Sequence, residues 1–201
     1  MKKIVLFLFL AMGLMAAQNN YSLRFAVGKP SYYSLGDILA KGEFGNYRND
    51  LHVYNIDGGY LLKKDLFDWP LDIYAKGGLS YYDEPAGKSI YGADIYIKAY
   101  YNIDFYKNRV RFGFGEGVSY NSGILEVERV DAQIHNDNTS HFLNYLDISL
   151  DFDLGKLLKN KALDETYIGF LIKHRSGIFG TIHNVKHGGS NYESLYIEKN
   201  F

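Results

Sequence analysis

The sequence predicts an all-β fold, an eight-stranded antiparallel transmembrane β-barrel of the outer-membrane type. Three observations carry that expectation. Stretches of near-perfect apolar and polar alternation, each about ten residues long, recur eight times, as strands need when one face meets lipid and the other a polar lumen. The 201 residues include 19 Tyr and 13 Phe against 3 Pro and 1 Trp, an aromatic load that suits strands and interfacial girdles. The segments between the alternating stretches are short and long in turn, the rhythm of near-side turns and far-side loops.

The chain opens Met1-Lys2-Lys3, runs apolar from Ile4 through Met15 and passes Ala16-Ala17 into the polar Gln18-Asn19-Asn20. This is the basic, apolar and small-residue order of a secretory signal, so the expected division is a signal peptide over 1–17 and one barrel domain over 18–201. Beyond the signal no apolar run approaches the roughly 20 residues of a spanning helix, which leaves strands to cross a membrane. A formal charge of −1 gives no electrostatic case for a nucleic-acid partner. The absence of Cys removes disulfides, thiolate metal sites and cysteine nucleophiles together.

The first strand is Tyr21 to Val27, with Tyr21, Leu23, Phe25 and Val27 outward and Ser22 and Arg24 inward. The second lies within His52 to Leu62 and the third within Leu71 to Tyr81, where Leu71, Ile73, Ala75 and Leu79 oppose Asp72, Lys76 and Ser80. The fourth, Asp94 to Phe105, is the most regular: Ile95, Ile97, Ala99, Tyr101 and Ile103 alternate with polar or aromatic inward residues. The fifth runs Val110 to Tyr120, and the sixth Tyr145 to Leu154, with Leu146, Ile148, Leu150 and Phe152 outward. The seventh covers Ile168 to Ser176 and the eighth Asn191 to Phe201. Lys63–Pro70, Lys107–Arg109 and Gly155–Glu165 are the expected near-side turns, and Gly28–Leu51, Tyr82–Gly92, Asn121–Asn144 and Gly177–Ser190 the far-side loops. Terminal Phe201 matches the aromatic that ends outer-membrane barrels.

The inward set carries Arg24, Lys76, Lys98 and Arg111 with Asp72, Asp94, Asp104, Asp147, Asp151 and Asp153. Eight strands enclose an interior that side chains fill, so these charges are expected to pair and close the lumen. Glu116 breaks the pattern, falling in phase with Phe112, Phe114 and Val118, where a carboxylate would face lipid. Gly113, Gly115 and Gly117 around it suggest a bulge that turns it inward.

The last two strands carry the chemistry. Ile168, Phe170, Ile172, His174 and Ser176 share one face, and Glu193, Leu195, Ile197, Lys199 and Phe201 share one on the final strand, so His174, Ser176 and Glu193 are in phase with lipid-facing residues. A His-x-Ser pair on a strand holds its α-carbons about 6–7 Å apart on one face, within reach for the imidazole to take the hydroxyl proton. His174 lies eight positions after Thr166 and Glu193 eight before Phe201, which puts both at one height near the outer-leaflet interface, with a slip of two residues tolerated. Ser176 as nucleophile, His174 as general base and Glu193 as orienting acid make the Ser-His-acid arrangement, which is defined by roles and geometry and not by chain order. Glu198, the competing acid, has the inward phase. Gly177 and Gly180 are the candidate oxyanion donors, glycines that equally suit a turn.

The segment His174-Arg175-Ser176-Gly177, followed by a glycine-bearing loop and Glu193-Ser194, resembles the outer-membrane lipid A 3-O-deacylase family of PagL-type enzymes. The resemblance implies an eight-stranded barrel with a membrane-facing His-Ser-Glu triad in this chain order. It further implies hydrolysis of the 3-O-linked hydroxyacyl chain of lipid A, the lipopolysaccharide anchor in the outer leaflet of the bacterial outer membrane. Family members carry Asn after the serine, where this chain has Gly177, and a shorter loop before the glutamate. The expected partners are that lipid and the membrane, with a homodimer also compatible, and no cofactor is expected.

Two other functional classes compete. A non-enzymatic barrel with adhesive or structural loops gives no reason for His, Ser and Glu to converge on the lipid face. Acyl transfer between lipids would need an acceptor pocket, against which the bulky and charged inward residues argue. Among the remaining candidates, His183 and His187 are four apart in a loop with Gly188-Gly189, His52, His135 and His141 show no ligand cluster, and Asp131, Asp137 and Asn138 lack EF-hand spacing. No metal is expected from them.

Overall fold

Each alternating stretch folds as a strand in the computed structural model, which describes residues 20–48, 50–84 and 88–201. The strands are β1 (Tyr21–Pro30), β2 (His52–Lys63), β3 (Leu71–Glu84), β4 (Lys88–Phe105), β5 (Asn108–Asn121), β6 (Phe142–Asp153), β7 (Thr166–Ser176) and β8 (Ser190–Asn200). All pair antiparallel with their sequence neighbours, and β8 closes the barrel on β1. The two ends meet at one rim, where the Tyr21 N–H donates to the Phe201 carbonyl at 3.0 Å and the Phe201 N–H to the Tyr21 carbonyl at 2.9 Å. The 1–17 signal and the start at Gln18 lie outside the described residues. Among the described residues no helix is long and apolar enough to cross a membrane. The outer wall instead exposes Phe25, Ile95, Ile97, Phe112, Phe114, Leu195 and Ile197, the apolar band a lipid-facing barrel needs.

Several strands run longer than their alternation. β3 reaches Glu84 and β4 starts at Lys88, so most of the expected loop Tyr82–Gly92 is ladder, and its tip at 85–87 lies outside the described residues. The Lys107–Arg109 turn tightens to a two-residue hairpin, with Tyr106 at φ 46° and Lys107 at φ 66°, the doubly left-handed form whose twist matches the flanking strands. Three connections fold into helices that alternation does not signal: α1 (Leu35–Lys41), α2 (Glu126–His135) and α3 (Leu154–Leu158). α1 starts where the Ser34 hydroxyl accepts the Asp37 N–H at 3.2 Å, an ordinary N-cap.

Glu116 corrects the sequence reading. It stays outward and exposed, because both ladders of β5 are unbroken there, with Ile97 and Leu146 as its partners. The glycines serve the lumen and make no bulge. A Cβ at Gly113 would stand 2.5 Å from Lys98 Cε, and one at Gly115 would stand 3.0 Å from Lys98 Cδ, so the missing side chains leave room for the lysine stem.

Charges fill the lumen in pairs. Arg24 bonds Asp57 at 3.1 Å and Asp147 at 2.5 Å, and Lys98 also pairs with Asp147. Lys76 pairs with Glu198, Lys173 with Asp94, and Arg111 bridges Asp151 at 2.8 Å and Glu198 at 3.1 Å. Three expected members make no buried ion pair. Asp153 is buried, but its carboxylate caps α3, accepting the Lys156 N–H at 2.9 Å. Asp104 is exposed at the near-side rim against Arg109, because its strand has almost reached the hairpin, and Asp72 is only half-buried, accepting from Asn102 Nδ2 at 2.9 Å.

Asp147 neutralises two fully buried cations, so Asp147→Ala is expected to destabilise the barrel by about 3–5 kcal/mol, against under about 1 kcal/mol for Asp104→Ala at the rim. Urea unfolding of the lipid-inserted protein, followed by heat-modifiable gel mobility, measures both.

Candidate active site on the outer wall

The phase of β7 is set from inside. Arg175 is buried and donates from Nη1 to Glu128 Oε1 of α2 at 2.5 Å and from Nη2 to the His141 carbonyl at 2.9 Å. Ser190 of β8 donates to the same Glu128 oxygen at 2.8 Å. Burial pushes the Glu128 carboxyl up, and Arg175 beside it pulls the other way. Two residues earlier, buried Lys173 pairs with Asp94 of β4. With both cations held in the lumen, the residues between and beside them, Ile172, His174 and Ser176, must face out.

On that outer face His174 sits opposite Asn191 of β8, and its Nδ1 lies 2.7 Å from Asn191 Oδ1. The amide is fixed from its other end, since Asn191 Nδ2 donates to the Tyr33 carbonyl at 3.0 Å. Oδ1 therefore faces the ring as an acceptor, which places the proton on Nδ1 and leaves Nε2 as the basic nitrogen. Ser176 lies two residues along the same face, opposite Asn144 of β6, and among the described residues its hydroxyl makes no hydrogen bond.

Glu193 shares the face but pairs opposite Ile172, one step down the ladder. Levelling Thr166 with Phe201 set the expected height two residues off, because Thr166 pairs with Lys199 while Phe201 turns to bond Tyr21 across the seam. A shift of two keeps the face and changes the partner. Glu193 Oε1 accepts from Ser31 Oγ at 2.6 Å and from the Gly45 N–H at 3.3 Å, which ties the first far-side loop to the wall. Phe44 of that loop stands edge-on to Phe170 of β7, ring centroids 5.4 Å apart. Beside Glu193 a cleft of about 310 Å³ opens, with Val27, Phe170 and Leu195 as apolar lining and Lys29, Asn46 and His52 as polar lining.

The remaining expectations divide. Glu198 is in the lumen, as its phase requires. Gly177 and Gly180 both have conformational reasons to be glycine: a Cβ at Gly177 would collide with the Val185 carbonyl, and Gly180 has φ 93°. His183 and His187, though four apart, go to different partners, His183 Nδ1 to Ser140 Oγ at 2.6 Å and the His187 ring onto His135. Asn191 is the site residue that sequence reasoning missed. Its outward phase beside Glu193 was visible, but which residue it faces depends on the register.

The chain is similar to several solved barrels. The crystal structure of the outer membrane enzyme PagL matches with a TM-score of 0.59 at 13% identity, covering 90% of this chain and 99% of that one. Neisserial surface protein A matches at 0.49 and 11% identity over 92% and 98%, and the N-terminal β-barrel domain of Pseudomonas aeruginosa OprF at 0.45 and 12% over 90% and 98%. No protein-family model matches the sequence, and neither does any curated protein. At these identities the likeness is one of fold: a closed eight-stranded antiparallel barrel of the outer-membrane type.

Because the chain has no Cys, single cysteines can report the wall directly. Bimane-labelled cysteines at Ile168 and Phe170 are expected to be quenched by lipid-borne bromine, and ones at Tyr167 and Leu171 to be protected. The reverse pattern would show that the phase of β7 is inverted.

Proposed function

We propose that this chain is a serine esterase of the bacterial outer membrane that removes the 3-O-linked hydroxyacyl chain from lipid A. The observation that carries the reading is the His174–Asn191–Tyr33 relay on the outer face of the wall, half-buried beside the first far-side loop, with Ser176 two residues from the histidine on the same face. A structural strand gains nothing from an imidazole on its outer face oriented by a fixed amide. Ser176 Oγ attacks the ester carbonyl while His174 Nε2 takes its proton, and the tetrahedral intermediate expels the sugar oxygen, which receives that proton back. Water then attacks the acyl carbon while His174 takes its proton, and that proton passes to Ser176 Oγ as the hydroxy fatty acid departs. The missing hydrogen bond between Ser176 and His174 fits a free enzyme, where catalytic hydrogen bonds are often long and tighten with substrate. The N–H groups of Gly177 and Gly180 are the candidate oxyanion donors.

Asn191 takes the orienting place, as Asn does in Cys-His-Asn proteases. Glu193, on the ladder diagonal from His174 at about 7–8 Å between α-carbons, supplies negative charge toward the imidazolium in place of a direct bond. The cleft beside it, apolar on one side and with Lys29 and His52 on the other, suits an acylated and phosphorylated lipid arriving laterally.

A second reading has one observation in its favour. Glu193 is bonded to Ser31 and Gly45, as an anchor for a surface loop would be, and a non-enzymatic barrel needs nothing more from it.

Mass spectrometry of lipid A separates the two readings. Cells producing the wild-type protein are expected to lose one 3-hydroxyacyl chain from lipid A, and cells producing Ser176→Ala or His174→Ala to keep it, with the barrel folded in all three. Unchanged lipid A in the presence of folded wild-type protein would favour the non-enzymatic barrel. Asn191→Ala is expected to lower turnover on the order of 10²–10⁴-fold, as loss of the orienting residue does in triads. Glu193→Gln, which keeps an acceptor for Ser31 and Gly45, is expected to cost less. The opposite ranking would return the orienting role to Glu193.

A further inference from the structure

We propose a second site on the external loops, a three-ligand site for a divalent transition metal of the zinc type formed by Asp131 and His135 of α2 and His187 of the β7–β8 loop. One ligand atom from each of the three lies within 4.8 Å of the others. Asp131 and His135 are four apart on α2 and so share a helix face, while His187 arrives from a segment more than fifty residues away. The His135 and His187 rings stack at 4.0 Å between centroids, 10° from parallel.

The third ligand is brought there by bonds that use neither ring. The Asp137 carboxylate accepts the N–H groups of Lys186 at 2.8 Å, His187 at 2.5 Å and Asn138 at 2.8 Å. Those backbone donors, His187 first, hold Asp137 below the ordinary carboxylate range. Asp131 Oδ2 accepts the Gly188 N–H at 2.7 Å and Oδ1 lies 3.2 Å from His135 Nδ1. His135 Nδ1 also lies 2.9 Å from the Asp131 carbonyl.

The donor set selects the ion class. Two imidazoles and one carboxylate, with no thiolate, suit Zn²⁺ with a water in the fourth position, and give far fewer oxygens than the 6–8 that Ca²⁺ takes. Bonds of about 2.0–2.2 Å require the ligand atoms to close on one another, and parallel rings aim their lone pairs along parallel lines, so one ring must turn out of the stack. The exposure of His135 and Asp131, 42% and 39% of their side chains, leaves room for that rotation. Binding would clamp α2 to the loop that begins at Gly177, one residue after Ser176. The site does not depend on the esterase reading.

The test uses the refolded barrel in detergent, without a histidine tag, titrated with Zn²⁺ against a chromophoric chelator. One Zn²⁺ per chain is expected. His135→Ala and His187→Ala should each lose it, Asp131→Asn, which can still accept the Gly188 N–H, should weaken it, and His183→Ala should leave it unchanged. Zn²⁺ should also slow tryptic cleavage after Lys186 in the wild type and not in His135→Ala. Gel mobility confirms that each variant is folded. No stoichiometric Zn²⁺ on the wild type, or binding that survives both His135→Ala and His187→Ala, would overturn the proposal.

Discussion

The anchoring of Lys173 and Arg175 inside the barrel is the constraint on which the outer-wall site depends. A strand has only two faces, and a slip of one residue exchanges them completely. For β7 that slip would strip two cations of their buried carboxylate partners, Asp94 and Glu128, a loss of about 3–5 kcal/mol per broken pair that outweighs the roughly 0–1 kcal/mol of placing each charge against lipid near the interface. It would also bury His174 and Ser176 among the remaining charges. The outward direction of the imidazole and the hydroxyl is therefore fixed less by their own preferences than by their neighbours' lack of an alternative.

The same bond joins distant parts of the chain. Glu128 belongs to α2, folded into the third far-side loop, and it reaches the barrel mouth to hold Arg175 of β7 and Ser190 of β8 on one oxygen. Behind it Leu125 and Val127 pack with Val53, Tyr82 and Tyr192, an apolar cluster at the outer end of the lumen. The outward neighbours of that cluster are the residues of the site: Asn191 precedes Tyr192 and Glu193 follows it. Burial inside and chemistry outside are thus alternate residues of the same strands.

Strand existence, strand phase and the paired lumen were all legible, because a period of two survives in a single sequence and because a small barrel has nowhere else to put its charges. Position along the strand was not. His174 meets Asn191 and not Glu193 because β7 and β8 are offset by two residues, a choice invisible to alternation. Glu116 shows the opposite error. Its glycine neighbours looked like a device for turning a carboxylate inward, whereas Gly113 and Gly115 answer to the volume of Lys98, one strand away. The helices α1 and α2 went unread since loops were judged by what separates strands. Pairings such as Arg175 with Glu128, or His187 with His135, link residues about fifty apart and carry no local signal at all.

A serine held on the outer wall by the inward lock and activated by His174 should take up a covalent probe. Covalent labelling tests this most directly. The wild-type barrel is treated with a long-chain alkyl fluorophosphonate in detergent, and the adduct is located by mass spectrometry of the digested chain. An adduct on Ser176 is expected, and it should be lost when His174 is replaced by alanine. A wild-type protein that stays unlabelled, or that carries the phosphonate on another serine such as Ser194, would contradict that expectation.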